Sequence, residues 1–374
     1  MANVAKLLHT TVDPETFLVN LTPEDTPLKD ARTKIREHLR AAFASAGREV
    51  FGEAVRPRFF TQGSSAYGTL NDPAWPPTQQ MDLDYGCYLP LSFVKGEKPS
   101  TAAKLFFKFV DAALKVLAES EGWRQEFKPT CCRVVISRDA HVDIPLYAIP
   151  DREFVTLQDR ITKSATASLD AKYEDWSELP SDSVLLAHRD EDWKISDPRQ
   201  IHKWFVDAVD LYGEKLRRDC RYMKGWRDHH ELDEYKVSSI LLMACIWNAY
   251  EAIRGPFLPD REDERLQKVV EYLPQMLKGP VFIPACGNED LNRIPKEHRQ
   301  KVADLVEGLA SRLRDVVRYC EDQQDAVEEM RGMFGTRIPY RTDLVAILTP
   351  AAVTVTSQPK KVNPAPEVGR STSG

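Results

Sequence analysis

Two aspartates one residue apart, Asp82 and Asp84, stand in the run Met81-Asp82-Leu83-Asp84-Tyr85-Gly86. On a strand, residues two apart share a face. A strand over 82–89 therefore projects both carboxylates together and turns Leu83 to the core. Carboxylates held that close repel each other unless a cation lies between them. Hard divalent cations such as Mg2+ take oxygen ligands of this kind. Upstream, Phe59-Phe60-Thr61-Gln62 leads into a turn at Gly63-Ser64. Gly63 lets the backbone approach a ligand closely, and Ser64 offers a hydroxyl and an N–H to phosphate oxygens. Downstream, Val142 and Ile144 share one strand face while His141 and Asp143 share the other. Asp143 is thus placed to join the pair from a neighbouring strand. An isolated Asp-x-Asp marks an exposed turn or a strand end as readily as a site. A phosphate-binding turn, a carboxylate pair and a third carboxylate in that order point to phosphoryl or nucleotidyl transfer.

These residues need a sheet and helices to hold them. Thr22-Pro23 reads as an N-cap and first helical residue, and Leu28, Ala31, Ile35, Leu39 and Phe43 continue at helical spacing to about Ala46. Strands are expected over Arg58–Gln62, Asp82–Leu89, Arg133–Ser137 and Ala140–Ala148, and a helix over Ala102–Glu119. The prolines of Asn71–Gln80 forbid a regular ladder, so that insert is a loop with Trp75 as its anchor. Residues 1–21 receive no assignment. Residues 151–197 are polar and irregular, a crossover along the back of the site. From the Ser196-Asp197-Pro198 cap onward the text turns helical: a helix from Pro198, then Val237–Ile253, Glu262–Leu277 and Lys296–Met330. The expected architecture is α+β: a mixed sheet flanked by helices over 1–197, an α-helical lobe over 198–348 closing the cleft, and a flexible tail over 349–374.

The 374 residues are 42% hydrophobic and 29% charged, with a net charge of −6. That balance argues against a protein wrapped on duplex DNA, which needs a basic face. The cysteines at 87, 131, 132, 220, 245, 286 and 320 form no C-x-x-C, and a reduced, cytoplasmic state is expected. The opening MANVAKLLHT has no secretory pattern, and no apolar run reaches membrane length. No cluster of His and Cys has zinc spacing. His141 reads as a hydrogen-bonded spacer beside Asp143, and His229-His230 as exposed.

The stretches QGSSAYGTL, DLDYGCYLP and HVDIPLYAIP resemble the polymerase-β-like nucleotidyltransferases. Within them they resemble the bacterial cGAS/DncV-like group, and more narrowly its DncV branch. The likeness continues through LLAHRDEDWKISDPR and EKLRRDCRYMKGWRD to about residue 255. The resemblance implies a polymerase-β-like core and a catalytic role for Asp82, Asp84 and Asp143 as ligands to two Mg2+ ions, or Mn2+ in their place. It implies that Gly63 and Ser64 hold the donor phosphates. It places Gln62, Tyr67, Arg133, Ser196, Lys224, Ser238 and Asp290 at nucleotide contacts. It implies ATP and GTP as substrates, a linear intermediate, and a cyclic dinucleotide, 3′,3′-cyclic GMP-AMP, as product in anti-phage (CBASS) defence. The zinc-bearing DNA-sensing insertion of the animal relatives is not expected. The final Gly374 resembles a conjugation site for an E1–E2-like partner; Gly374→Glu then abolishes conjugates to cellular targets. Two other readings stand beside this one: linear oligonucleotide synthesis or RNA-end addition, and a non-catalytic nucleotide sensor that kept the fold.

Overall fold

The computed structural model describes residues 1–52, 55–90, 92, 99–151, 154, 184–191, 193–254 and 257–348. Most of the expected crossover over 151–197, and the tail with Gly374, lie outside the described residues. The chain opens with β1 (Ala2–Asn3), α1 (Ala5–Leu8) and α2 (Phe17–Asn20). Helix α3 (Thr26–Phe51) starts four residues later than the Thr22 signal and runs beyond Ala46. The text T-P-E-D-T-P offers two equivalent starts. The Thr22 hydroxyl instead donates to the Leu18 carbonyl, closing α2, and Pro27 takes the first turn of α3.

Then follow β2 (Arg58–Gln62), the short α4 (Gly63–Tyr67), β3 (Met81–Pro90), α5 (Pro99–Glu121), β4 (Arg124–Phe127), β5 (Cys131–Val135), β6 (Ala140–Ile149), β7 (Leu185–Leu186) and β8 (Lys194–Ile195). The sheet has the order β2-β3-β6-β5-β4, with β7 pairing β6 and β8 pairing β7. Only β3 and β6 run parallel, so the sheet is mixed, as expected. The strand β4 has no counterpart in the sequence reading, because Arg124-Gln125-Glu126-Phe127 lacks an apolar alternation.

Alternation along β3 and β6 separates core from site. Met81, Leu83, Tyr85, Cys87 and Leu89 pack with Leu28, Ile35, Leu39 and Phe43 of α3 and with Phe106, Phe107, Val110 and Leu114 of α5. The intervening residues face the other way, where Tyr88 packs with Phe60, Tyr147 and Ile149 in a smaller cluster. At roughly 1.5–3 kcal/mol for each large apolar side chain buried, this layer fixes the register, since a one-residue slip would invert both faces.

The helical half comprises α6 (Pro198–Tyr212), α7 (Glu214–His229), α8 (Ser239–Ile253), α9 (Glu262–Val270), α10 (Leu273–Lys278), α11 (Lys296–Tyr319) and α12 (Gln323–Phe334), then β9 (Ala346–Ile347). Asp197 caps α6 by accepting from Arg199 N. The helix expected over Glu262–Leu277 divides at Glu271-Tyr272, where Pro274 enters the first turn of α10. The one expected over Lys296–Met330 divides at Cys320, and the Asp322 carboxylate restarts it by accepting from Gln324 N and Asp325 N. Residues 2–21 join this helical core: Phe17 stacks on Tyr222 at 5.6 Å, and β1 pairs with β9. Among the described residues no helix is long and apolar enough to cross a membrane.

Candidate active site

The parallel register sets Asp82 opposite His141 and Asp84 opposite Asp143. On β5, Arg133 stands opposite Asp143, and on β2, Gln62 stands opposite Asp84. Paired residues point to one side of a sheet. The face turned from the core therefore carries Gln62, Asp82, Asp84, Arg133, His141 and Asp143 together.

Arg133 grips Asp143 in a two-point fork, Nε to Oδ1 at 2.6 Å and an Nη to Oδ2 at 2.8 Å. Burial, then the charges of Asp82 and Asp143, push the Asp84 carboxyl well above the usual carboxylate range; Arg133 offsets this only in part. The Asp84 carboxylate lies directly under the turn at Gly63. A Cβ on Gly63 would overlap Asp84 Oδ2, and Gly63 has φ +63°, so the turn needs glycine on two counts. Ligand atoms of Asp82, His141 and Asp143 lie within 4.8 Å of one another. Asp84 shares their face and their field but is not part of that set.

A cation fits this arrangement. Asp82 Oδ1 and His141 Nε2 are buried without a hydrogen-bond partner, and they stand 3.2 Å apart. Three carboxylates crowd one face, and Arg133 is the cation that partly offsets them at Asp84. Orphaned donor atoms and crowded negative charge are what a divalent ion relieves.

Across from the carboxylates, α7 supplies Lys224. Its Nζ donates to Ser64 Oγ at 2.9 Å and to the Thr69 carbonyl at 2.6 Å. Burial, reinforced by the nearby Arg227 charge, lowers its ammonium to about 7. The loop between α4 and β3 ties the two halves together. Asn71 Nδ2 donates to the Arg221 carbonyl at 2.9 Å, and Gln79 Nε2 to the Asp228 carbonyl at 2.9 Å. Trp75 Nε1 donates to the His229 carbonyl at 3.2 Å, and its ring stacks on His229. Trp75 is the anchor that the sequence suggested, and His229 beneath it is half-buried rather than exposed.

Between these walls lies a cavity of about 460 Å³, lined by Ser64, Asp82, Arg133, His141 and Lys224 among others. The other expected nucleotide contacts sit elsewhere. Gln62 is buried behind the site, donating to Tyr88 OH at 2.8 Å and accepting from Tyr147 OH at 3.1 Å. Tyr67 is buried against His202 and Phe205. Ser238 caps α8, while its neighbour Ser239 reaches the cavity. Ser196 N donates to the Val184 carbonyl beside α6. Asp290 accepts from Val281 N at 2.9 Å and Asn292 N at 2.8 Å. Cavity residues that the sequence reading did not select include Gln80, Arg227, Asp228 and Asp233. Arg227 and Asp228 follow Lys224 by three and four residues, so helical spacing from Lys224 points to both.

Known proteins resemble this chain in sequence and fold. A family described as "Cyclic GMP-AMP synthase DncV-like, nucleotidyltransferase domain" matches residues 57–147, and the "Cyclic GMP-AMP synthase, C-terminal domain" matches 213–347. A cyclic GMP-AMP synthase of Vibrio cholerae serotype O1 is 34% identical over 305 residues, spanning 76% of this chain and 68% of that one. The chain belongs to the DncV-like nucleotidyltransferase family. A cyclic GMP-AMP synthase of Escherichia coli is 32% identical over 363 residues, spanning 89% of this DncV-like chain and 81% of the relative. The crystal structure of Vibrio cholerae DncV with the linear intermediate 5′ pppA(3′,5′)pG is 26% identical, with TM-score 0.72 over 90% of this chain and 96% of that one. A structure of the Vibrio cholerae di-nucleotide cyclase mutated at two aspartates superposes with TM-score 0.75 at 26% identity, over 92% and 98%. The DncV-like chain is accordingly a nucleotidyltransferase with the polymerase-β-like core expected from its motifs.

Proposed function

We propose that this nucleotidyltransferase makes a cyclic dinucleotide from ATP and GTP with Mg2+, through a linear pppN-pN intermediate closed in the same cavity. The observation that carries this reading is the group of Asp82, His141 and Asp143, with Asp84 on the same sheet face and with Asp82 Oδ1 and His141 Nε2 lacking hydrogen bonds, beside a cavity that Asp82 and His141 line together with Ser64 and Lys224. Asp82 and Asp143 would hold the ions, with Asp84 beneath the Gly63 turn supporting them. Bound there, divalent ions would neutralise charge on the α-phosphate and the leaving pyrophosphate and lower the pKa of the attacking hydroxyl. Arg133 orients Asp143. Ser64 and Lys224 offer a hydroxyl and an ammonium to the β- and γ-phosphates, and the Gly63 turn sets their distance from Asp84. The loop anchored by Trp75 and Gln79 walls the cavity against water.

We read the α/β part, up to about residue 197, as the catalytic lobe and 198–348 as the lobe that closes over it. Residues 2–21 are fastened to the second. The Vibrio relative's linear intermediate supports the two-step order, and the relatives' names support 3′,3′-cyclic GMP-AMP as the product. A role in anti-phage defence rests on the family resemblance. The cysteines, all free, suit a reducing cytoplasm.

The test is to incubate pure protein with all four nucleoside triphosphates and Mg2+, treat with phosphatase, and identify products by mass. A phosphatase-resistant ring containing one guanosine and one adenosine monophosphate is the expected product. Linear products alone would favour oligonucleotide synthesis. Nucleotide binding without pyrophosphate release would favour a sensor.

A further inference from the structure

The carboxylate reading leaves one donor at the cavity wall without a task. His141 lies on β6 two residues before Asp143 and is 6% exposed. Gln80 fixes its tautomer. The Gln80 amide nitrogen donates to the Arg138 carbonyl at 3.0 Å and reaches the Ser137 carbonyl at 3.4 Å. Its oxygen is therefore the group facing His141, and it accepts from Nδ1–H at 3.0 Å. A neutral imidazole protonated at Nδ1 carries its lone pair at Nε2. His141 Nε2 faces Asp82 Oδ1 at 3.2 Å, an ion pair if the ring carries a second proton, and neither atom has another hydrogen bond. Without that second proton the two atoms are both acceptors, and a metal ion between them would take the proton's place. Ligands at right angles on a divalent ion, with bonds of about 2.1–2.2 Å, stand about 3 Å apart. Asp143 completes the group within 4.8 Å; the Arg133 fork takes two of its roughly four lone-pair sites and leaves the others available.

We propose that His141 Nε2 is a direct ligand to a divalent ion, forming with Asp82 and Asp143 a mixed nitrogen–oxygen site that prefers Mn2+ to Mg2+. Mg2+ demands oxygen and sheds water reluctantly, whereas a transition ion accepts imidazole. The Gln80 amide acts as a positioning group, aiming the lone pair as outer partners of ligating histidines do. The inference rests on the nucleotidyl-transfer reading for the presence of an ion, but its test needs no turnover.

Mn2+ alone, without nucleotide, is titrated into the full chain made with natural or 15N-labelled histidine. Pulsed electron paramagnetic resonance then reads nitrogen coupling to the bound ion. The expected result is a 14N modulation that becomes a 15N pattern on labelling and disappears in His141→Gln. That variant should bind Mn2+ about tenfold more weakly, with Mg2+ affinity changed by less than about threefold. Bound Mn2+ lacking histidine coupling in the unmutated chain overturns the inference while leaving the carboxylate site intact. Coupling that survives in His141→Gln overturns it as well. Failure of Mn2+ to bind at all overturns it and counts against the metal-dependent reading itself. The isotope comparison is made on the unmutated chain, so it holds even if His141→Gln does not fold.

Discussion

Replacing Gly63 with alanine separates backbone strain from loss of site geometry. At φ +63° an L-residue costs about 1–2 kcal/mol relative to its relaxed conformation. The new Cβ would also overlap Asp84 Oδ2, so either the carboxylate or the turn carrying Ser64 must move. A displacement of about 1 Å among positioned groups costs on the order of 100-fold in rate. Gly122 supplies the control: its φ is +72°, and nothing lies within 4 Å of a Cβ placed there. Gly122→Ala should lose a similar roughly 1–2 kcal/mol of stability with unchanged turnover. Gly63→Ala should lose that much stability and, in addition, at least about 100-fold in kcat/KM. Urea unfolding measures the first quantity and pyrophosphate release from ATP and GTP the second. If Gly63→Ala turned over within about threefold of Gly122→Ala, the contact between the turn and Asp84 would have no part in catalysis.

Lys224 predicts a pH dependence. Burial brings its ammonium to about 7, against 10.5 for a free lysine. Between those values the unfolded chain binds the extra proton, so this group makes stability rise with pH from about 7 to about 10.5. Below 7 the penalty for burying the charge is fully present. Lys224→Met should flatten that slope in unfolding titrations. Triphosphate binding should restore the charge, so calorimetry at pH 8 in buffers of different ionisation heat should register proton uptake that the variant lacks. In the helical half, Asp219 is wholly buried and accepts from Arg265 Nε at 3.0 Å and from Tyr250 OH at 2.7 Å. Asp219→Ala strands the Arg265 charge and should cost about 3–5 kcal/mol in urea unfolding; a loss below about 1 kcal/mol would show that Glu262 alone compensates Arg265. Trp75→Ala removes one hydrogen bond and a ring stack on His229. It should cost about 1–2 kcal/mol and hasten proteolysis within 71–80, while unchanged cleavage would deny the anchor.

The catalytic sheet was legible because β3 and β6 alternate strictly: Leu83 and Val142 went to the core, and Asp82 and Asp143 went to the opposite face. Helix boundaries were less legible where two signals competed, as in the doubled Thr-Pro before α3. They also failed where a break is made by a single side chain, as Asp322 does before α12. Local spacing gave no hint that residues 2–21 fold onto α7, because that packing is non-local. His141 was visible in the sequence, but its role depends on Gln80, which fixes the tautomer from a separate segment. Ser196, Ser238 and Asp290 came from resemblance rather than spacing. In the structure each has a local partner outside the carboxylate cluster.

The central claim is that carboxylates on β3, with a partner on β6, drive transfer at the cavity. The direct measurement is turnover of labelled ATP and GTP by the double variant Asp82→Asn, Asp84→Asn, with folding verified by its unfolding curve. The account predicts a folded protein that releases no pyrophosphate and forms no dinucleotide. Turnover retained near the level of the unmutated chain would contradict it.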